Sequence, residues 1–335
     1  MTVILDAMGG DHAPAAIVRG AIEAAREFGH EIVLVGSIPE MDASLGSPVS
    51  AAIKGLPISL EHTDEWIKMD CLHPASELRK LKGASIRVAA RLVRKTPKSA
   101  LVSAGHTGAV MTAALMDIGR IKGIDRPGIA AIIPTMIGSV VVIDVGANVD
   151  CKPKHLLRFA QMGRAYATYI LKIPDPQVGL LNIGSEASKG NDLSRATHEI
   201  LAASDLPFIG NVEPDKLYEG LCHVVATDGF VGNIFLKTSE GVANTIKGMM
   251  KRAAGPLLSK SLAALKPLLG SLSDFNPDHP DHAGAPLLGI DGACLIVHGS
   301  ARAETVKSAI DLGERYATSE TLSAIRKAVS EESAA

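Results

Sequence analysis

The chain has 335 residues, enough for one large α/β unit or two fused lobes with a sizeable core. Hydrophobic residues make up 47% but aromatics only 3%, so Ala, Val, Ile and Leu must supply that core. A net charge of −2 excludes a general attraction to nucleic acid, and any basic surface must be local.

Thr2–Leu5 reads as a first strand, Pro14–Phe28 as a helix with Pro14 suited to its first turn, and Glu31–Val35 as a second strand. This β-loop-α-β start is the beginning of a doubly wound parallel sheet. Ser85–Val93 reads as a helix, Ser99–Val102 as a strand and Ala109–Ile118 as the helix after it. The nearly uncharged run from Gly128 to Ile143 is broken by Pro134 and Gly138-Ser139, so it predicts two strands and a turn. A membrane-spanning helix needs about 20 apolar residues. Pro153–Ile170 reads as a helix, and Val178–Leu181, Phe208–Ile209, His223–Ala226 and Gly292–Val297 as short strands. Ala303–Leu312 and a polar tail are helical.

One segment departs from this rhythm. Gly241–Ser273 contains no acid but carries Lys247, Lys251, Arg252, Lys260 and Lys266, with leucines such as Leu258 and Leu262 on apolar faces. It reads as a basic amphipathic helix pair divided at Gly255-Pro256, an arm within the single unit 1–335. Such an arm suits an anionic membrane, an acidic partner or a dimer interface.

Four cysteines, Cys71, Cys151, Cys222 and Cys294, lie far apart with no C-x-x-C, so reduced thiols are expected. The N-terminus lacks the basic flank and apolar stretch of a signal peptide, and a cytoplasmic location is the expectation. Gly9-Gly10 after the first strand lacks the G-x-G-x-x-G spacing of a dinucleotide site.

The chemistry is concentrated in glycine-and-polar clusters that follow the strands. They include Gly9-Gly10-Asp11, Ser103-Ala104-Gly105-His106-Thr107-Gly108, Asp144-Val145-Gly146-Ala147-Asn148, Lys189-Gly190-Asn191 and Asp228-Gly229-Phe230-Val231-Gly232-Asn233. In open α/β sheets, ligands bind beyond the carboxyl ends of the strands, where glycine amides and helix starts favour an anion. The expected ligand is phosphate-like, and Lys189 is the first candidate for a charged donor. Asp6, Asp11, Asp144 and Asp228 would repel such a ligand, so they are expected to brace loops; a bridging divalent metal is the sharper alternative. His106 and His298 are either donors to the anion or hydrogen-bonded scaffold. Cys151 at a helix start is a weaker candidate for an acyl-accepting nucleophile.

The clusters, in this order, resemble the bacterial phosphate acyltransferase (PlsX) family. The likeness extends from Leu5-Asp6-Ala7-Met8-Gly9-Gly10-Asp11 through Asp144–Pro153 and Thr227–Asn233 to Gly284–Gly289 and His298-Gly299-Ser300. It implies a Rossmann-like α/β/α sandwich similar to the isocitrate and isopropylmalate dehydrogenases and to phosphotransacetylase. It further implies a homodimer that moves a fatty acyl group from acyl carrier protein to inorganic phosphate, without metal or organic cofactor. The acyl phosphate would pass to a membrane glycerol-3-phosphate acyltransferase, so partial association with the inner membrane face is expected. The resemblance points to Lys189 for phosphate or oxyanion stabilisation and to Asn233 for carbonyl orientation, whereas an isolated Asn233 would read as a helix cap. Three positions depart from the family pattern: His106 replaces Asn, His282 replaces an aromatic, and Lys80–Arg87 replaces a Lys-Lys-Asp-Ser-Ser-Met-Arg stretch. A coenzyme A thioester as donor and a non-catalytic membrane-surface protein are the competing readings. The carrier protein would meet either Arg79, Lys80 and Lys82 or the later basic helices.

Overall fold

The computed structural model describes residues 1–254 and 283–332. Packing divides the chain into two compact units. The first comprises Met1–Ile129, Ala165–Asp175 and the chain from Ala283 onward; the second comprises Ala130–Arg164 and the stretch that begins at Pro176.

The first unit opens with β1 (Thr2–Asp6), α1 (Ala15–Phe28) and β2 (Glu31–Gly36). Two short helices, α2 (Ile38–Leu45) and α3 (Val49–Ala52), lead to β3 (Ile58–His62). Then come α4 (Pro74–Lys80), α5 (Ser85–Lys95), β4 (Ser99–Ser103) and α6 (Thr107–Ala113), which continues as a π-helical turn at Ala114–Ile118. β5 (Gly128–Thr135) carries the chain into the second unit, followed by β6 (Gly138–Ile143) and α7 (Pro153–Tyr169). The second unit continues with β7 (Val178–Leu181), α8 (Asp192–Ala202), β8 (Phe208–Val212), α9 (Pro214–Leu217), β9 (Val224–Ala226) and α10 (Gly229–Ala254). Back in the first unit lie β10 (Ala285–Leu288), β11 (Ala293–Ile296), α11 (Ala303–Thr318) and α12 (Thr321–Glu332).

In the first unit β3, β2, β1, β4 and β11 run parallel in that order, and β10 adds antiparallel to β11. The inner strands are buried along nearly their whole length, which is why they read as continuous apolar runs. β1 pairs with β2 on one side and β4 on the other, so the chain reverses its winding there. That switch point opens a crevice at the strand ends. Helices α1 and α11 pack together so closely that a Cβ on Gly20 would lie 2.7 Å from the Ala303 carbonyl oxygen.

The second unit has its own strand group. β5 and β6 form the antiparallel hairpin expected from the Gly128–Ile143 run, and β6, β9, β7 and β8 then run parallel. This mixed α/β architecture matches the fold class expected from the sequence.

Two readings need correction. The Asp228–Asn233 cluster is no loop: α10 begins at Gly229 and runs 26 residues, far earlier than the predicted arm. The helix after β4 begins at Thr107 and widens into a π turn at Ala114–Ile118, instead of running uniformly from Ala109. Within α10, Lys247 is half-buried, Arg252 is exposed, and Lys251 lies on the last turn. Leu258, Leu262, His282 and the arm beyond Ala254 lie outside the described residues.

Candidate functional site

The strand ends of the first unit bring together Asp6, Gly9, Ser103, Gly105 and His106. Ser103 Oγ donates to Asp6 Oδ2 at 2.8 Å, and the Gly105 amide donates to Ser103 Oγ at 3.0 Å. A Cβ on Gly9 would lie 2.6 Å from the Gly105 nitrogen, so this glycine lets two loops touch. Burial pushes the Asp6 carboxyl above the usual carboxylate range, against hydrogen bonds from Ser85, Ser103 and the Met8 amide that favour the anion. Ser85, which the sequence marked only as a helix start, is therefore part of this cluster.

His106 caps α6. Its Nδ1 accepts the Gly108 amide at 3.1 Å, the work an asparagine Oδ1 does at such a position. With Nδ1 taken up as an acceptor, Nε2 is the ring atom left to face a ligand. His106 lines a small crevice with Asp6, Met8, Ser85 and Gly105. Thr107 and Gly108 form the first turn of the helix it caps. Gly10 lies beside Gly299, whose carbonyl accepts the Asp11 amide at 2.7 Å. His298 Nδ1 lies 2.7 Å from Ser300 Oγ, a local contact within its own turn.

The second unit holds the other group. Asp144 follows β6, is fully buried, and accepts from the amides of Gly146, Ala147 and Asn148 at 3.1, 2.9 and 2.7 Å. Asn148 Nδ2 donates to the same carboxylate at 2.9 Å. Asp144 is thus a loop brace, and Asn148 spends a side-chain donor on it. Asp228 accepts the Phe230 and Val231 amides at 3.0 and 2.9 Å, which makes it the cap of α10. The capping role considered for Asn233 therefore falls to Asp228. Gly229 donates its amide to the Asn148 carbonyl, and a Cβ on Gly232 would overlap the Asp144 carbonyl oxygen. Both glycines are explained by backbone packing.

Asn233 is left on the first turns of α10 with its side chain toward Gly146. Lys189 stands in the loop between β7 and α8, half-exposed, 3.9 Å from Glu186 Oε1. Its loop is fixed by Asn182, whose Nδ2 donates to the Lys189 carbonyl at 3.2 Å and whose Oδ1 accepts the Ile183 amide at 2.9 Å. Asn211 Nδ2 adds a bond to the Glu186 carbonyl at 2.8 Å. Asn182 opens the strand-end cluster Asn182-Ile183-Gly184, one of the glycine-and-polar clusters the sequence shows after its strands, and nothing in the sequence singles out Asn211.

Cys151 Sγ lies 3.6 Å from the Asn148 carbonyl oxygen at the entry to α7. All four cysteines are free thiols. Among the described residues, no three metal-ligating side chains converge and no helix is long and apolar enough to cross a membrane.

A family model described as "Fatty acid synthesis protein" matches residues 1–323. The phosphate acyltransferase of Desulforamulus reducens is 43% identical over 329 residues, spanning 98% of this chain and 97% of its own. That of Desulfitobacterium hafniense is 44% identical over 331 residues, with the same shares covered. The chain belongs to the phosphate acyltransferase family. It is an acyltransferase enzyme, and the competing reading of the chain as a non-catalytic membrane-surface protein is set aside. Its fold is similar to that of a phosphotransacetylase from Streptococcus pyogenes, with a TM-score of 0.60, 19% identity, and 95% and 94% of the two chains covered.

Proposed function

We propose that the enzyme transfers a fatty acyl group from the thioester of acyl carrier protein to inorganic phosphate, releasing acyl phosphate for phospholipid synthesis. The single observation that carries this reading is identity of 43–44% with phosphate acyltransferases along almost the entire chain. A phosphate oxygen attacks the thioester carbonyl; the C–O bond forms, the C–S bond breaks, and the carrier thiolate takes up a proton. Phosphate is already anionic near neutral pH, so the step needs placement and oxyanion donors more than a strong base.

Lys189 is proposed as the cationic donor to the anion or the developing oxyanion, on a loop that Asn182 holds in place. Asn233 is proposed to orient the carbonyl. The Gly9–Asp11 and Ser103–Gly108 loops, with Asp228, Gly229, Gly232 and Asn148 bracing the second unit, complete the proposed substrate-binding residues. A homodimer, a membrane glycerol-3-phosphate acyltransferase as consumer of the product, and peripheral contact with the inner membrane face through the basic segment 241–273 belong to the same proposal.

The test incubates purified protein with palmitoyl carrier protein or palmitoyl coenzyme A, with and without phosphate, and traps product with hydroxylamine. Phosphate-dependent hydroxamate, formed faster from the carrier protein, is expected. Preference for coenzyme A would replace the donor, and no phosphate dependence would remove the acceptor.

A further inference from the structure

The crevice of the first unit lies at the strand ends, where a ligand is expected, yet the space inside it is about 10 Å3, room for one water. No tetrahedral oxyanion fits there. The opening is filled by Ile67, which lines the crevice with Asp6, Ser85, Gly105 and His106 and is only 7% exposed. Ile67 belongs to the connection between β3 and α4. That connection is tied down at both ends and not in its middle. At the first end, Thr63 Oγ1 donates to the Gly83 carbonyl at 2.5 Å and Glu65 Oε2 accepts the Gly83 amide at 2.8 Å. The Glu65 carbonyl accepts the Ser85 amide at 2.8 Å. At the other end the His73 carbonyl accepts the Ser76 and Glu77 amides at 3.0 Å, and Pro74 Cγ would lie 3.4 Å from a Cβ on Gly108. Among the described residues, the only hydrogen bond made by residues 66–72 is internal, from the Cys71 amide to the Lys68 carbonyl at 3.2 Å. Their grip on the body is apolar: Ile67 in the crevice, and Met69, whose Cε would lie 2.9 Å from a Cβ on Gly299. Leu72 is 88% exposed, and Lys68 and Asp70 face solvent. A span fixed at its ends and held between them by two side chains opens more readily than a hydrogen-bonded element.

We propose that residues 66–72 form a lid on this crevice, with Ile67 as its plug, and that the lid lifts to admit phosphate beside Gly9, Gly105 and His106. The inference rests on the reading of the Gly9–Asp11 and Ser103–Gly108 loops as substrate-binding. Donors for the anion are in place. Among the described residues, the backbone amides of Gly9, Gly10 and His106 donate to no partner, and Nε2 of His106 is left over from the helix cap. The Asp6 carboxyl beside them already accepts from Ser85, Ser103 and the Met8 amide, so its repulsion is offset. Lifting Ile67 clears its side chain from between these groups and solvent.

Trp66, the chain's only tryptophan, lies inside the lid and is half-buried, so the wild type reports on itself. Titration with inorganic phosphate should give a saturable red shift of its emission, while potassium chloride of equal ionic strength gives none. Ile67→Ala removes the plug. Its emission should start red-shifted, and its KM for phosphate, with palmitoyl carrier protein as donor, should fall roughly threefold or more because less of the protein is held closed. An isoleucine that merely packs predicts a KM unchanged or raised, and that result would overturn the lid. Emission unmoved by phosphate, or moved equally by chloride, would overturn it in the wild type alone, whatever becomes of the variant. Should transfer still depend on phosphate in that case, the reaction stands without the lid. A saturable shift with no transfer to phosphate would keep the lid and remove the reaction.

Discussion

Arg87 grips Asp117 at two points, Nε to Oδ2 at 2.8 Å and Nη2 to Oδ1 at 3.0 Å, with both side chains almost fully buried. The remaining guanidinium nitrogen Nη1 reaches the Leu78 carbonyl at 3.4 Å. Asp117 lies in the π-helical turn that follows α6, and Arg87 on the first turn of α5, so the pair joins two helices beside the first unit's crevice. Removing one partner of a buried ion pair leaves a stranded charge and costs about 3–5 kcal/mol. Arg87→Met leaves Asp117 with only the more exposed Arg91, whose Nη1 is 3.9 Å from Oδ1, so it should lower unfolding stability toward the low end of that range in urea titration, while Arg87→Met with Asp117→Leu should recover much of it. Equal losses in the single and double variants would show that the charge is not what matters.

The Asp6 carboxyl, raised by burial, holds its proton to higher pH in the folded than in the unfolded chain. The unfolded state therefore binds fewer protons across that window. The contribution of Asp6 to stability is fully present below the ordinary carboxylate range, near 3.9, and is lost as pH rises through the folded value. Asp6→Asn removes this titration. Denaturation midpoints of wild type and variant should diverge in the variant's favour as pH climbs from about 4 toward neutrality; a constant difference would acquit Asp6.

His106→Asn should preserve the α6 cap, because the amide oxygen can accept the Gly108 N–H in place of Nδ1. His106→Ala should cost about 1 kcal/mol of stability through loss of that cap. Thermal unfolding of the three proteins separates capping from catalysis: an asparagine variant as unstable as the alanine one would refute the capping role.

Burial pushes the Cys222 and Cys294 thiols up to about 12, leaving almost no thiolate at neutral pH. Cys71 and Cys151 are partly exposed. Iodoacetamide followed by peptide mass analysis should therefore mark Cys71 and Cys151 in the folded protein, and the other two only after unfolding.

Much of the fold is legible because parallel strands buried on both faces leave uninterrupted Val/Ile/Leu runs, as in Val140–Ile143 and Val178–Leu181. β3 escaped because it is a half-exposed strand in which Ser59, Glu61 and His62 break that pattern. Gly229 and Gly232 misled for another reason. Glycine reads as a loop signal, yet here it marks the first turn of a helix pressed against the backbone of Asp144 and Asn148. The acids at strand ends were legible as braces, since a carboxylate followed by loop amides has an obvious use for its lone pairs, and Asp144 and Asp228 both serve that way. The partners Ser85 and Asn211 were not, because they meet the site only through tertiary contacts that leave no local spacing to read.

The most direct test of the account is the rate of carrier-protein thiol release from palmitoyl carrier protein as phosphate is raised, for wild type and Lys189→Ala. The account predicts saturable dependence on phosphate in the wild type and a loss of roughly 100-fold or more in the variant, with its unfolding transition unchanged. Release that ignores phosphate, or a Lys189→Ala protein as fast as wild type, would contradict it.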